Sequence, residues 1–195
     1  TLPELACFVR GLGFDGIELP VRPGYQVEPD MVPSGLPEAV RILAEEGLSI
    51  CSIAGPTDEA TLAACAECGV PIVRVCEAIS TDRDYMTAIE DLQRRYDELV
   101  PLLDRYDVKL GVQNHFGRFV NNAMALHHVL AKYDARHIVA VWDAAHNALC
   151  GEPVELALDI VWSHLGMVNL KNAFWRRTTG PEAEVVQWQP YWTSG

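Results

Sequence analysis

Residues 109–115 read Lys-Leu-Gly-Val-Gln-Asn-His, a short apolar run that ends in three consecutive polar residues. The same form returns at Val141-Trp142-Asp143-Ala144-Ala145-His146 and at Val168-Asn169-Leu170-Lys171-Asn172. Runs this short and this uniformly apolar are expected of parallel strands buried on both faces. Outward from these three, the same reading gives six strands: Gly16–Leu19, Leu48–Ala54, Ile72–Cys76, Lys109–Gln113, Ile138–Trp142 and Met167–Leu170. Amphipathic helices are expected between them, over Leu36–Glu46, Asp58–Cys68, Asp82–Tyr106, Asn121–Tyr133 and Pro153–His164. A first helix, Leu2–Leu12, precedes the first strand.

Punctuation residues support these elements. Gly13, Gly47, Gly69 and Gly166 stand where helices are expected to end. Asp58, Asp82 and Asn121 suit helix N-caps, and Pro153 suits a first turn, where its missing N–H does no harm. Pro101 is expected to kink or split the long helix Asp82–Tyr106.

Strands alternating with helices imply right-handed βαβ units, in either a closed barrel or an open doubly wound sheet. No GxGxxG follows the first strand, so a dinucleotide-binding sheet lacks its main signature. Several different strands instead end in residues capable of chemistry, which is the habit of a (β/α)8 TIM barrel. Such a barrel needs eight strands in ~250 residues. The expectation is therefore one α/β barrel domain over residues 1–195, truncated at both ends, with its first and last strands missing.

Composition narrows the function classes. The chain has 195 residues, a net charge of −12, 49% hydrophobic and 22% charged residues. An acidic surface repels phosphate backbones, which argues against nucleic acid as a partner. No apolar stretch approaches the ~20 residues that span a bilayer, so no membrane role is expected. The six cysteines (7, 51, 65, 68, 76 and 150) show no disulfide-framework spacing, which suits reduced thiols and a cytoplasmic location. Cys65-Ala-Glu-Cys68 is formally a CxxC, yet it falls inside an expected helix with no second Cys/His pair nearby in sequence. Two small residues on a helix are favoured there over a redox or zinc site.

At the strand ends, Asp143 and His146 form an O/N pair of the kind that binds Mg, Mn or Zn ions. Lys171 could polarise a carbonyl or neutralise an oxyanion. With Arg176 and Arg177 it forms the basic cluster nearest the polar strand ends. Each residue has a plainer reading: Asp143 as a helix cap, His146 as a loop histidine, Lys171 as a solvated charge, Gln113 and Asn169 as loop ties. Recurrence at three successive strand ends favours a site. His115 is placed on the same side of its strand as Gln113 by alternation. Glu77 follows the third strand and could supply a carboxylate, although a solvated rim position is slightly favoured. Phe174, Trp175, Trp188, Tyr191 and Trp192 crowd the tail. They could stack on a sugar, cover the pocket, or pack against the barrel edge or the partner subunit of a homodimer.

The stretches LGFDGIEL (12–19), KLGVQNH (109–115), VWDAAH (141–146) and VNLKN (168–172) carry a resemblance. In this order they resemble the xylose-isomerase-like barrel superfamily of sugar and sugar-phosphate isomerases and epimerases. The resemblance implies a divalent metal held by a glutamate, an aspartate, a histidine and a second glutamate on successive strands. These roles fall on Gln113, Asp143 and Asn169, and the last has no counterpart in the chain. It also implies that His146 touches substrate or a second metal, and it matches Glu18 to a glutamate common at the end of the family's second strand. Two implied ligands are thus amides, weaker for a hard cation and unable to take a proton.

The resulting expectation is an isomerase or epimerase of carbohydrate metabolism acting on a small polyhydroxy substrate. Proton transfer beside a carbonyl would be assisted by metal at Gln113, Asp143 and Asn169. His146 and Lys171 are the expected catalytic residues, and His115, Glu77 and Arg176 the expected substrate-binding ones. A metal-dependent dehydratase or lyase, and a barrel that binds ligand without chemistry, are the alternatives. Apurinic-site endonuclease is disfavoured by the acidic charge and by the absence of any histidine before His115.

Overall fold

The computed structural model describes residues 1–193. Six strands form one parallel sheet in the order β1-β2-β3-β4-β5-β6. They are β1 (Gly16–Pro20), β2 (Ser49–Ala54), β3 (Ile72–Val75), β4 (Lys109–Gln113), β5 (Ile138–Asp143) and β6 (Leu165–Asn169). A doubly wound sheet reverses its strand order at a switch point. This order never reverses, and it is that of consecutive strands in a (β/α)8 barrel.

The helices are α1 (Leu2–Gly11), α2 (Val32–Glu45), α3 (Glu59–Cys68), α4 (Tyr85–Tyr106), α5 (Ala123–Leu130), α6 (Ala144–Cys150) and α7 (Val154–Val161). None is long and apolar enough to cross a membrane. All six cysteines are free thiols.

The chain divides into two compact units. The first comprises Thr1–Val75, Gln93–Gly111 and Arg136–Ile138; the second comprises Cys76–Leu92, Val112–Ala135 and the chain from Val139 onward. In the first unit α1 packs on α2 and α2 on α3. Leu19, Leu36, Leu43, Ile53 and Leu62 are fully buried there. In the second unit α5 packs on α7 and α6 on the strand β7 (Asn172–Arg177). Leu126, Val129, Leu130 and Val141 form its buried apolar centre.

Several expectations need correction. Gly166 does not end a helix: it lies inside β6, where a Cβ would stand 2.6 Å from Val139 Cγ2. Its missing side chain is what lets β6 approach β5. The cap before α5 is Asn122, accepting from Ala125 N–H, rather than Asn121. Before α4 the capping carboxylate is Asp84, which accepts from Thr87 N–H, rather than Asp82. Pro101 neither splits nor ends α4, which runs through it as one helix.

Helix α2 carries Pro33 in its first turn, where no N–H is needed, and continues through Pro37. Helix α6 was not expected; Gly151 ends it with a φ of 74°. The tail holds an antiparallel hairpin of β7 and β8 (Trp188–Thr193), which pairs Ala173 with Trp192 and Phe174 with Tyr191.

The CxxC stays structural. Cys65 is buried and its thiol is pushed up to about 12, first by burial and then by Cys68. Burial likewise raises Cys68, opposite to what a reactive thiolate needs.

Candidate active site at the strand ends

Strand β5 is buried along its whole length and delivers Asp143 to its C-terminal end with no exposed surface. A buried carboxylate must have its oxygens satisfied, and Asp143 has four donors. Oδ1 accepts the N–H groups of Ala145 (3.0 Å) and His146 (3.1 Å), capping α6. Oδ2 accepts from Gln113 Nε2 at 2.7 Å and lies 3.0 Å from Lys171 Nζ. The side chain of Lys171 is 48% exposed, so its ammonium joins the buried carboxylate to solvent.

Asn114, next along from β4, fixes the backbone of the same residue. Its Oδ1 accepts Asp143 N–H at 2.7 Å and its Nδ2 donates to Asp143 C=O at 3.2 Å. Gln113 has its donor end on Asp143, while its Oε1 accepts from Cys76 Sγ at 3.6 Å. Asn169 is the register partner of Asp143 across β5 and β6.

The His115 and His146 rings pack together at a tilt of 35°, with centroids 3.9 Å apart. The backbone of one residue, Phe116, sets both tautomers. Phe116 C=O can only accept, so its 2.9 Å contact makes His115 Nδ1 the donor and leaves the lone pair of the neutral ring on Nε2. Phe116 N–H donates to His146 Nδ1 at 3.0 Å, which puts that ring's proton on Nε2. In their neutral forms the two imidazoles thus carry opposite tautomers, one with its lone pair and the other with its proton on Nε2.

The hairpin packs against His146 and Phe116. Trp192 meets His146 edge to face at 5.0 Å, and Trp175 meets Phe116 at 5.3 Å. Trp175 Nε1–H is tied to Leu149 C=O at 3.0 Å. Ala173, Trp175, Pro190 and Trp192 share one hairpin face by alternation and register.

Seven of the eight expected site residues are gathered here to different degrees. Gln113, Asp143, His146, Lys171 and His115 meet directly or through Phe116, and Asn169 stands beside Asp143 in register. Glu77 comes near through its backbone: its C=O accepts Val120 N–H, next to Phe119, whose ring lies 4.2 Å from His115. Arg176 is not gathered with them. It lies on the opposite hairpin face, its guanidinium 5.0 Å above the Tyr191 ring. Asn114 and the Phe116 peptide were missed, since neither a backbone-pairing amide nor a main-chain group announces its role by residue type. In the first unit, Glu18 forms a two-bond ion pair with Arg74, both contacts at 2.7 Å, and accepts from Ser52 Oγ at 3.0 Å.

The donor set does not fit the divalent metal expected at Gln113, Asp143 and Asn169. An ionised carboxylate offers about four acceptor sites, and all four of those on Asp143 are taken. Gln113 faces it with N–H groups rather than oxygen. A unit pair ~4 Å apart at an effective dielectric of ~20 is worth about 4 kcal/mol. A divalent cation sharing Oδ2 with the Lys171 ammonium would thus meet about 8 kcal/mol of repulsion. Among the described residues, no three His, Cys, Asp or Glu side chains group so as to hold a metal ion.

This sheet and its strand-end cluster define a barrel protein of the (β/α)8 class with polar residues at the C-terminal mouth. The chain belongs to the xylose isomerase-like TIM barrel family, whose model matches residues 8–190. A search of curated protein sequences finds no match.

Solved structures share the fold at low identity. A 3-keto-D-glucoside 4-epimerase from E. coli is 16% identical, with a TM-score of 0.69 over 86% of this chain and 72% of that one. A D-psicose 3-epimerase with D-tagatose, from Clostridium cellulolyticum H10, is 13% identical, with a TM-score of 0.69 over 85% and 66%. A mannonate dehydratase from Streptococcus suis serotype2 is 13% identical, with a TM-score of 0.68 over 89% and 68%.

Proposed function

We propose that this chain moves a proton beside the carbonyl of a small polyhydroxy compound, as a sugar, sugar-phosphate or sugar-acid isomerase or epimerase. The observation that supports this most is the close histidine pair with opposite tautomers, linked through the His146 backbone to the Asp143 carboxylate that holds the Lys171 ammonium. The C–H bond next to the carbonyl breaks and its proton passes to His115 Nε2. Its electron pair forms the C=C bond while the carbonyl π pair moves onto oxygen. The Lys171 ammonium holds that oxygen, and the His146 ring packs against His115. Delivery of the proton to the former carbonyl carbon, with the adjacent hydroxyl proton passing to the former carbonyl oxygen, isomerises the substrate; delivery of a proton to the original carbon by a second donor on its opposite face epimerises it. Trp192 packs edge to face on the His146 ring. The epimerases among the structural neighbours support the substrate class. The six free thiols suit a cytoplasmic setting.

Incubation with a panel of ketoses, aldoses and sugar acids in D2O tests this, with deuterium uptake read by NMR. Uptake at the carbon beside the carbonyl is expected, with a fall of about 10²–10⁴-fold in His115→Gln. No uptake from any compound would end this reading, and product lighter by one water would replace it with a dehydratase.

A further inference from the structure

The family likeness leads one to look for a divalent cation on the β5 aspartate, and the side chains present have filled that place themselves. Oδ2 of Asp143 is held by Lys171 Nζ and Gln113 Nε2, and Oδ1 by two backbone N–H groups. The charge arithmetic agrees: one carboxylate is matched by one ammonium, and the amides of Gln113 and Asn169 add none. An ammonium has three donors and spends one on Asp143, and its half-exposed position leaves the other two on the solvent side.

We propose that Lys171 takes the place of a divalent cation in this site: its ammonium, fixed by Asp143, binds the vicinal oxygens of an enediolate-like ligand without metal. The inference rests on the proposed function only for the ligand's chemistry. Asp143 acts through Lys171 and is a positioning residue; Lys171 itself touches the ligand.

Two measurements on metal-stripped protein test it, neither of which needs turnover. In the first, Mn²⁺ is titrated and followed by electron paramagnetic resonance. No saturable binding is expected for the wild type, and its Tm is expected to be the same with Mn²⁺ or EDTA. Saturable Mn²⁺ binding that Asp143→Asn abolishes would overturn the proposal. In the second, oxalate serves as a planar mimic of an enediolate and its binding is measured by calorimetry in EDTA. Wild type is expected to bind it, and Lys171→Met to bind about tenfold or more weakly, as loss of a charged hydrogen bond requires.

Equal oxalate affinity in the two proteins, or none in the wild type, overturns the proposal. Should Lys171→Met unfold, Lys171→Arg serves instead. It keeps the charge but not the point geometry, and is expected to retain part of the affinity. If no sugar is turned over while both expectations hold, the proposed function fails and the cation replacement stands.

Discussion

The side-chain amide of Asn114 pairs with both backbone polar groups of Asp143, as a neighbouring strand would. Strand β4 ends at Gln113, so this amide extends the ladder by one rung using a side chain. Asn114→Ala leaves the buried Asp143 N–H without its partner, at a cost of about 1–3 kcal/mol, while the Asp143 C=O keeps the first helical bond of α6. The expected loss is about 1–3 kcal/mol, read from urea unfolding midpoints. A loss within experimental scatter would mean that water fills in for the amide.

The two histidines should report their tautomers directly. Long-range ¹H–¹⁵N correlation spectra of the neutral rings are expected to show the proton on Nδ1 of His115 and on Nε2 of His146. Phe116→Ala retains the peptide and is expected to leave both assignments in place. Finding one tautomer on both rings would contradict the bonding to Phe116.

Gly166→Ala drives a methyl group to 2.6 Å from Val139 Cγ2 and 2.7 Å from Val139 Cβ. Overpacking of this kind costs about 1–3 kcal/mol. A lower Tm is expected, with part of the loss recovered in a Val139→Ala background. Additive losses in the double variant would place the strain elsewhere.

Cys65 gives a pH prediction with a fixed sign. Its folded pKa is raised to about 12 while the unfolded thiol ionises near 9, so the unfolded state sheds the proton first. The neutral thiol's contribution is whole below about 9 and is lost as pH rises through that window toward about 12. Unfolding titrations at mildly alkaline and strongly alkaline pH are expected to show declining stability, with a shallower decline in Cys65→Ala. At mildly alkaline pH, iodoacetamide is expected to modify the exposed Cys7 and Cys51 well before Cys65.

Much of the fold is legible in sequence because its strands are buried on both faces. The run at 109–113 matches β4 end for end, and the run at 138–142 falls one residue short of β5. What escaped depends on contacts distant in sequence. Gly166 looked like a helix end, since its role is set by Val139, a residue on the adjacent strand. The hairpin of β7 and β8 escaped because its aromatics follow one another too closely to display a two-residue period.

In the site, residue type announced Gln113, Asp143, His115, His146 and Lys171, and the amides at 113 and 169 already weakened the case for metal. Sequence could not give the partner of Asp143. That depends on where Lys171, twenty-eight positions later, lays its flexible stem.

The bonds from the Phe116 backbone to both rings have a consequence for how this site could be found or lost. Any residue but proline at position 116 supplies the same N–H and C=O. The side chain there answers only to its packing on Trp175, and can change across generations while the protons of two histidines keep their places. A survey that ranks positions by side-chain identity would pass over 116, and a proline there would disarm one ring while every named functional residue remained intact.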